Sequence, residues 1–181
     1  MHSHVTLPCL QTNHFNSNTW ITLTFKNDAR VIKKSSQLFQ AMIDKIDANI
    51  SPDGFTGGLL WQPLPKLFLE KSQSKGGNVL GLDHMDDDLL IYLFFARVKT
   101  VEQHDFAHKQ GHAMTAELQS YAESIGVSHP WIYINYANPS QNPLKSYGDN
   151  NVEFLKTISQ KYDPEQIFQR LASGSFKVST C

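Results

Sequence analysis

Three patterns in the sequence place residues able to do chemistry at short spacing. The run WIYINY at residues 131–136 sets two phenols, Tyr133 and Tyr136, around the amide of Asn135. These groups donate and accept hydrogen bonds and, for the phenols, exchange protons. His104, His108 and His112 recur every four residues, which on a helix aligns imidazoles along one side. Such spacing can hold a metal, but the glutamate of the zinc-protease signature is missing. The three histidines drift from the flank of the neighbouring apolar stripe toward solvent, so a solvated track is preferred and no metal site is expected. Asp86, Asp87 and Asp88 form the third pattern; no ligand series continues beyond them, which favours a surface turn over a cation site. Gly76-Gly77-Asn78 lacks the glycine repeat or following Lys-Ser/Thr of a nucleotide loop. No Ser-His-Asp or Cys-His set emerges from the spacing.

Hydrophobic periodicity supplies the elements that position these residues. Residues 19–25 (TWITLTF) alternate as a strand, with Ile21, Leu23 and Phe25 on one face. Residues 30–49 carry a helical stripe through Val31, Leu38, Met42 and Ile46. The Ser51-Pro52-Asp53-Gly54 cluster ends it, and residues 57–64 read as the next strand. A loop with at most one helical turn is expected over 63–77. Residues 89–98 form a strongly apolar strand, residues 101–125 a helix, and Gly126 stands where a left-handed cap is wanted. The alternation of 131–136 predicts a last strand, with Tyr133 and Asn135 on one face and Ile134 and Tyr136 on the other. Beyond it, 150–162 form an amphipathic helix, Asp163-Pro164-Glu165 starts a short one ending near Phe168, and 171–181 form an extended tail.

Two successive strand–helix–strand units predict an α+β fold, a ferredoxin-like antiparallel sheet with its helices on one face and a C-terminal helical tail. One domain accounts for residues 1–181: an α+β layer over 19–136, then a C-terminal segment over 137–178. The uncovered sheet face must meet water, a second protomer, another domain or a ligand. Gln62, Trp61 and Tyr92 lie on candidate strands and can line that face as substrate contacts; the plainer reading, preferred for Trp61 and Tyr92, makes them core aromatics.

Composition narrows the function. With 16 basic and 17 acidic residues the net charge is −1, without the basic excess of a nucleic-acid binder. No apolar run reaches the length of a membrane span. The first ten residues lack the basic start and apolar centre of a secretory signal, and Cys9 and Cys181 form neither a disulfide framework nor a metal spacing. The expectation is a cytoplasmic protein.

The last third carries a family signal. Tyr133-Ile134-Asn135-Tyr136 is similar to the Y-x-N-Y motif of berberine-bridge-type flavoproteins. It is followed in order by Gln141-Asn142-Pro143-Leu144, Ser146-Tyr147-Gly148, and Lys161-Tyr162-Asp163-Pro164 with Phe168-Gln169. Upstream, residues 22–27, Gln62-Pro63-Leu64-Pro65 and residues 76–82 (GGNVLGL) resemble the substrate domain of the family's fungal branch. The resemblance implies an FAD-linked oxidoreductase of secondary metabolism. It implies further that 19–136 is substrate-domain-like and 137–178 the berberine-bridge-type C-terminal segment. It places Tyr136 as a base that deprotonates a substrate hydroxyl, with Tyr133 beside it and Asn135 near substrate or flavin. An ordinary phenol, with a pKa of about 10, needs a positive or hydrogen-bonding environment for that work.

The flavin-binding domain of the family has no counterpart in the sequence, so FAD follows from resemblance only and none is expected on this chain alone. Three functions follow. The chain is a truncated oxidoreductase-like protein acting on a small organic intermediate, a flavin-independent cyclase or isomerase using the retained cavity, or a non-catalytic binding domain. Its expected partners are a small-molecule substrate and either a second copy through the open sheet face or a separate flavin-domain chain. Neither nucleic acid nor membrane is expected.

Overall fold

A computed structural model describes residues 17–82, 85–172, 174 and 176–180. Cys9, Cys181 and the first ten residues, read above, lie outside them. The first strand, β1 (Ser17–Lys26), leads into α1 (Ala29–Asp47), whose N-terminus is capped by Asp28 accepting from the Arg30 amide at 2.8 Å. β2 (Phe55–Leu64), α2 (Lys66–Gln73) and β3 (Leu89–Val98) follow, then α3 (Val101–Ser124), opened by a Thr100–Gln103 capping box. Gly126, at φ +72°, closes α3 as its sequence position requires. β4 (Ser128–His129), α4 (Asp149–Tyr162) and α5 (Ile167–Leu171) complete the regular elements.

The four strands form one antiparallel sheet in the order β2-β3-β1-β4, the ferredoxin-like arrangement of two strand–helix–strand units. One face is covered by α1 and α3. Ile21 and Phe25 of β1, Tyr92, Phe94 and Ala96 of β3, Val31, Met42 and Ile46 of α1, and Met114 and Leu118 of α3 make this core. Gly111 lets α3 approach β3 closely, since a Cβ there would lie 2.3 Å from the Phe94 ring.

The opposite face departs from the expectation of an uncovered sheet. Leu89 and Ile91 of β3 are buried under Leu69, Leu82, Met85, Trp131, Leu144 and Tyr147, a second core built largely from the chain's own C-terminal third. Gly81, at φ +72°, brings the 76–82 loop onto the backbone of Tyr147 so closely that an added Cβ would fall 2.1 Å from its carbonyl oxygen. Two sequence motifs distant along the chain therefore meet in one joint.

Four local expectations are corrected. The strand expected over 131–136 does not form: pairing ends at His129, beyond which the Trp131 amide turns back to His129 Nδ1 at 3.2 Å and the Gln141 side chain takes the Thr22 backbone groups. The chain then runs extended into a 3-10 turn, Ile134–Tyr136. The 63–77 stretch holds a full two-turn helix, α2, whose first amide donates to the Asp88 carboxylate at 2.9 Å. The last helix begins later than expected, because Asp163 reaches forward to accept from the amides of Ile167 and Phe168, leaving Pro164 and Glu165 in a turn. The tail is not simply extended: Phe176 and Val178 pack against the second core, and Val178–Thr180 turn as 3-10 helix.

Candidate functional site

The site forms where the 3-10 turn meets the sheet. Because Ile134–Tyr136 turn rather than extend, Tyr133 and Tyr136 do not project to opposite faces; their rings meet edge to face at 4.9 Å. Tyr136 also meets Trp20 of β1 edge-on at 5.8 Å, and its hydroxyl donates to Gln62 Oε1 of β2 at 3.0 Å. Asn135 Nδ2 donates to the Tyr133 hydroxyl oxygen at 2.8 Å, and Trp131 stacks on the other side of Tyr133 at 5.7 Å. Thus Tyr133, Asn135, Tyr136 and Gln62 come together, although β2 lies about seventy residues upstream.

Beside this polar set runs an apolar strip across the sheet. Trp20 pairs with Phe95, which pairs in turn with Gly58; Thr22 pairs with Leu93, which pairs with Leu60. Trp20 and Leu60 are 43 % and 40 % exposed, unusually open for large apolar side chains on a sheet. The Phe95 ring occupies the space that a side chain at Gly58 would need.

Sequence reasoning missed the residues that fix this geometry. Beyond the two residues paired with β4, side chains meet the edge of β1 at Thr22 and at the Trp20 carbonyl. Gln141 behaves as a strand residue toward the buried Thr22, its Oε1 accepting from the Thr22 amide at 3.2 Å and its Nε2 donating to the Thr22 carbonyl at 2.7 Å. The same Oε1 accepts from the Asn138 amide, while Asn138 Nδ2 donates to the Trp20 carbonyl at 2.8 Å. The signal for Gln141 was its place in the Gln-Asn-Pro-Leu motif; nothing local marked Trp20 or Leu60.

Trp61 and Tyr92 do not line this face. Strand parity turns both toward the helices, where they pack edge to face at 5.1 Å in the first core. Tyr92 is fully buried, and burial pushes its phenol pKa up, with the Thr115 hydroxyl partly offsetting the effect.

The histidines of α3 are half-buried rather than solvated. His104 and His108 stack at 5.4 Å, His108 and His112 meet at 4.3 Å, and Thr19 Oγ1 of β1 lies 3.4 Å from His108 Nδ1. Burial, then the neighbouring His108, hold His112 below the usual histidine range. Among the described residues no group of three or more ligand-type side chains is arranged to hold a metal. The aspartates do structural work: Asp87 pairs with Lys26 at 2.7 Å, and Asp88 holds the Lys66 amide by its side chain and the Asn27 amide by its carbonyl. No helix among the described residues is long and apolar enough to cross a membrane.

Comparison with known proteins finds several FAD-dependent monooxygenases among the relatives. The chain is 36 % identical over 160 residues to the FAD-dependent monooxygenase drtC of Aspergillus calidoustus, covering 88 % of this chain and 30 % of that protein. It is 32 % identical over 161 residues to the FAD-dependent monooxygenase sdcF of Emericella nidulans, covering 89 % of this chain and 34 % of the relative. It is 34 % identical over 161 residues to the FAD-dependent monooxygenase tpcD of Cochliobolus heterostrophus, covering 87 % and 31 %. The chain therefore spans about a third of the length of the relatives it matches. No family model matches the sequence, and no solved structure matches it.

Proposed function

We propose that the chain is the substrate-holding portion of a berberine-bridge-type, FAD-linked oxidoreductase and binds a small organic intermediate of a secondary-metabolite pathway on the Trp20–Leu60 strip. The carrying observation is the hydrogen bond from Tyr136 to Gln62, made beside exposed apolar surface that a ligand can cover. Since Gln62 accepts the Tyr136 proton, the phenol oxygen keeps lone pairs for a substrate hydroxyl. Since the Tyr133 oxygen accepts from Asn135, its own O–H is left to donate to a substrate carbonyl. The pair thus offers one acceptor and one donor on rigid aromatic walls, which orients a ligand before any chemistry.

Among the described residues, one glycine turn can be tested as a pyrophosphate cradle. The positive-φ pair Gly76 and Gly77 is the one glycine doublet with the backbone freedom of a pyrophosphate loop, yet a Cβ at either meets nothing within 4 Å. It is an open turn rather than a cradle. In an assembly with a separate flavin-domain chain, the exposed apolar side chains of Phe154, Tyr162, Phe168 and Leu171 on α4 and α5 supply surface for that second polypeptide to cover.

A second reading, a flavin-independent cyclase or isomerase, is favoured by one feature: the polar set is completed by this chain's own residues, with Tyr136, Gln62, Tyr133 and Asn135 already hydrogen-bonded to one another in pairs. Two measurements separate the readings. Visible absorbance of the purified chain with added FAD tests flavin retention; a colourless protein after gel filtration removes stable binding by this chain. Product formation in a reconstituted pathway reaction is then compared for the wild type, Y133F and Y136F. A loss of at least tenfold in Y136F, with folding intact, is expected if the phenol acts on substrate. Unchanged turnover in both variants ends their chemical role and leaves a binding domain.

A further inference from the structure

The two edges of the sheet are treated differently by this sequence. Along β1 every exposed stretch of backbone near the site is met, by β4 at Thr24 and Phe25, by Gln141 at Thr22 and by Asn138 at Trp20. Along β2, the opposite edge, no described residue pairs with the outer side. Sheet edges that stay free in solution are usually shortened, charged, bulged or covered. Among the described residues β2 has none of these protections. It runs ten residues in unbroken register with β3, its sequence FTGGLLWQPL carries no charge, and its only proline, Pro63, stands one residue from its end.

Both flanks of β2 also leave apolar surface unfinished. On the helix side Phe55, Leu59 and Trp61 are only partly buried, and on the other side Leu60 is 40 % exposed. We propose that β2 pairs with β2 of a second copy of this chain, antiparallel about a two-fold axis, making one continuous eight-stranded sheet. This inference does not depend on the ligand or the reaction proposed above.

Parity supports the pairing. Pro63 has no N–H to give β3, so its position in the ladder is one whose backbone groups face outward. Gly57, Leu59 and Trp61 share that parity and turn their N–H and C=O groups to the open edge. A two-fold axis perpendicular to the sheet pairs residues of like parity, so outward groups meet outward groups without any shift of register. With the axis at Leu59, Gly57 faces Trp61 of the second copy and Leu59 faces its own counterpart. Those three pairs supply about six hydrogen bonds and leave each proline at the end of the ladder. Leu60 then lies opposite Gly58 of the second copy, beside the Phe95 ring that fills that gap. Because the strand is uncharged, nothing in it repels its own copy. The Gln62 end of each ligand strip is brought to the seam, so pairing adds a side wall to both sites.

The test uses the full chain. Sedimentation velocity at tens of micromolar should give twice the 20.5 kDa of one chain. L60K and L60E change an exposed side chain and leave the core untouched. Each sets two like charges about 7–8 Å apart across the seam, and each should sediment as a single chain with an unchanged circular dichroism spectrum. An equimolar mixture of the two should recover the double mass, which a folding defect cannot produce. In hydrogen exchange, the Gly57, Leu59 and Trp61 amides should be protected in the wild type and lose that protection by at least tenfold in L60K. A wild type that sediments as one chain across the concentration range overturns the proposal. So does an L60K protein that keeps the double mass, or exchange at the three amides that is the same in both proteins.

Discussion

Removing Gln141 should do more damage than a surface glutamine ordinarily does. Its amide makes three hydrogen bonds, to the Thr22 amide, the Thr22 carbonyl and the Asn138 amide, at a strand residue that is 0 % exposed. Q141A leaves those part-buried backbone groups without their partners. At about 1–3 kcal/mol for each unsatisfied buried group, and allowing for relaxation, the loss is about 3–5 kcal/mol. Q141E is the sharper probe. The introduced carboxylate still accepts from the two amides but confronts the Thr22 carbonyl, which held a donor. Ionisation is thereby disfavoured in the fold, so the carboxyl's folded pKa lies above its unfolded value of about 4.3. The deficit against wild type is then full at pH 7. It shrinks as pH falls through the folded pKa, where the protonated acid regains an O–H to donate to Thr22. Urea denaturation of the three proteins at pH 7 and pH 4.5 measures both effects. A Q141A cost below about 1 kcal/mol, or a Q141E deficit that is the same at the two pH values, refutes the strand-mimic account.

Two further outcomes follow from the sheet and the helix packed on it. G111A should gain about 1 kcal/mol of helix propensity, but its Cβ meets the buried Phe94 ring at 2.3 Å, an overpacking that costs about 1–3 kcal/mol. The melting temperature by calorimetry should therefore fall, and a rise would show that α3 has room to move. His112 and His129 are both held below the usual histidine range, His112 by burial and then His108, His129 by burial and then Lys26. Between their folded pKa values and about 6.5 the unfolded chain takes up protons that the fold refuses, so stability falls as pH drops through that window. Protonation also removes the acceptor by which His129 Nδ1 holds the Trp131 amide at 3.2 Å. Denaturation midpoints at pH 7.5 and 5.5 should show this loss, and the double variant H112Q/H129Q should show a smaller one; an equal slope in both proteins would assign the acid sensitivity elsewhere.

The layered part of the fold was legible because its signals are local. Alternation in 19–25, the apolar run of 89–98 and the stripe through Val31, Met42 and Ile46 each depend on one element, and their order selects the ferredoxin-like sheet. The site was legible only in part. Tyr133, Asn135, Tyr136 and Gln62 were picked out singly, but their arrangement turned on where the ladder ends: Gln141 takes the Thr22 backbone and the Trp131 amide turns to His129, so the expected strand becomes a turn. For Trp61 and Tyr92 the preferred core reading holds and the substrate-contact alternative does not; a strand's parity is set by its register, which a single strand does not reveal. The roles of Trp20 and Gln141 were hidden for a related reason: they arise from contacts across about 120 residues, Gln141 with Thr22 and Asn138 with Trp20, and only the motif around Gln141 marked it at all.

That long-range pairing links binding to stability. The segment from Trp131 to Tyr147 carries the phenols of the site and also supplies Trp131, Leu144 and Tyr147 to the second core. Gln141 and Asn138 fasten the same segment to β1, within two residues of Trp20 and Thr22. The phenols therefore cannot shift toward a ligand without disturbing buried hydrogen bonds, and their orientation is settled when the domain folds. On the function proposed above, a ligand on this face would meet a surface already organised, and affinity would come from covering Trp20 and Leu60 rather than from ordering a loop. Substitutions at Gln141 should accordingly weaken ligand binding and domain stability together. Y136F, which removes only the Tyr136-to-Gln62 bond and leaves the fastening intact, should separate the two.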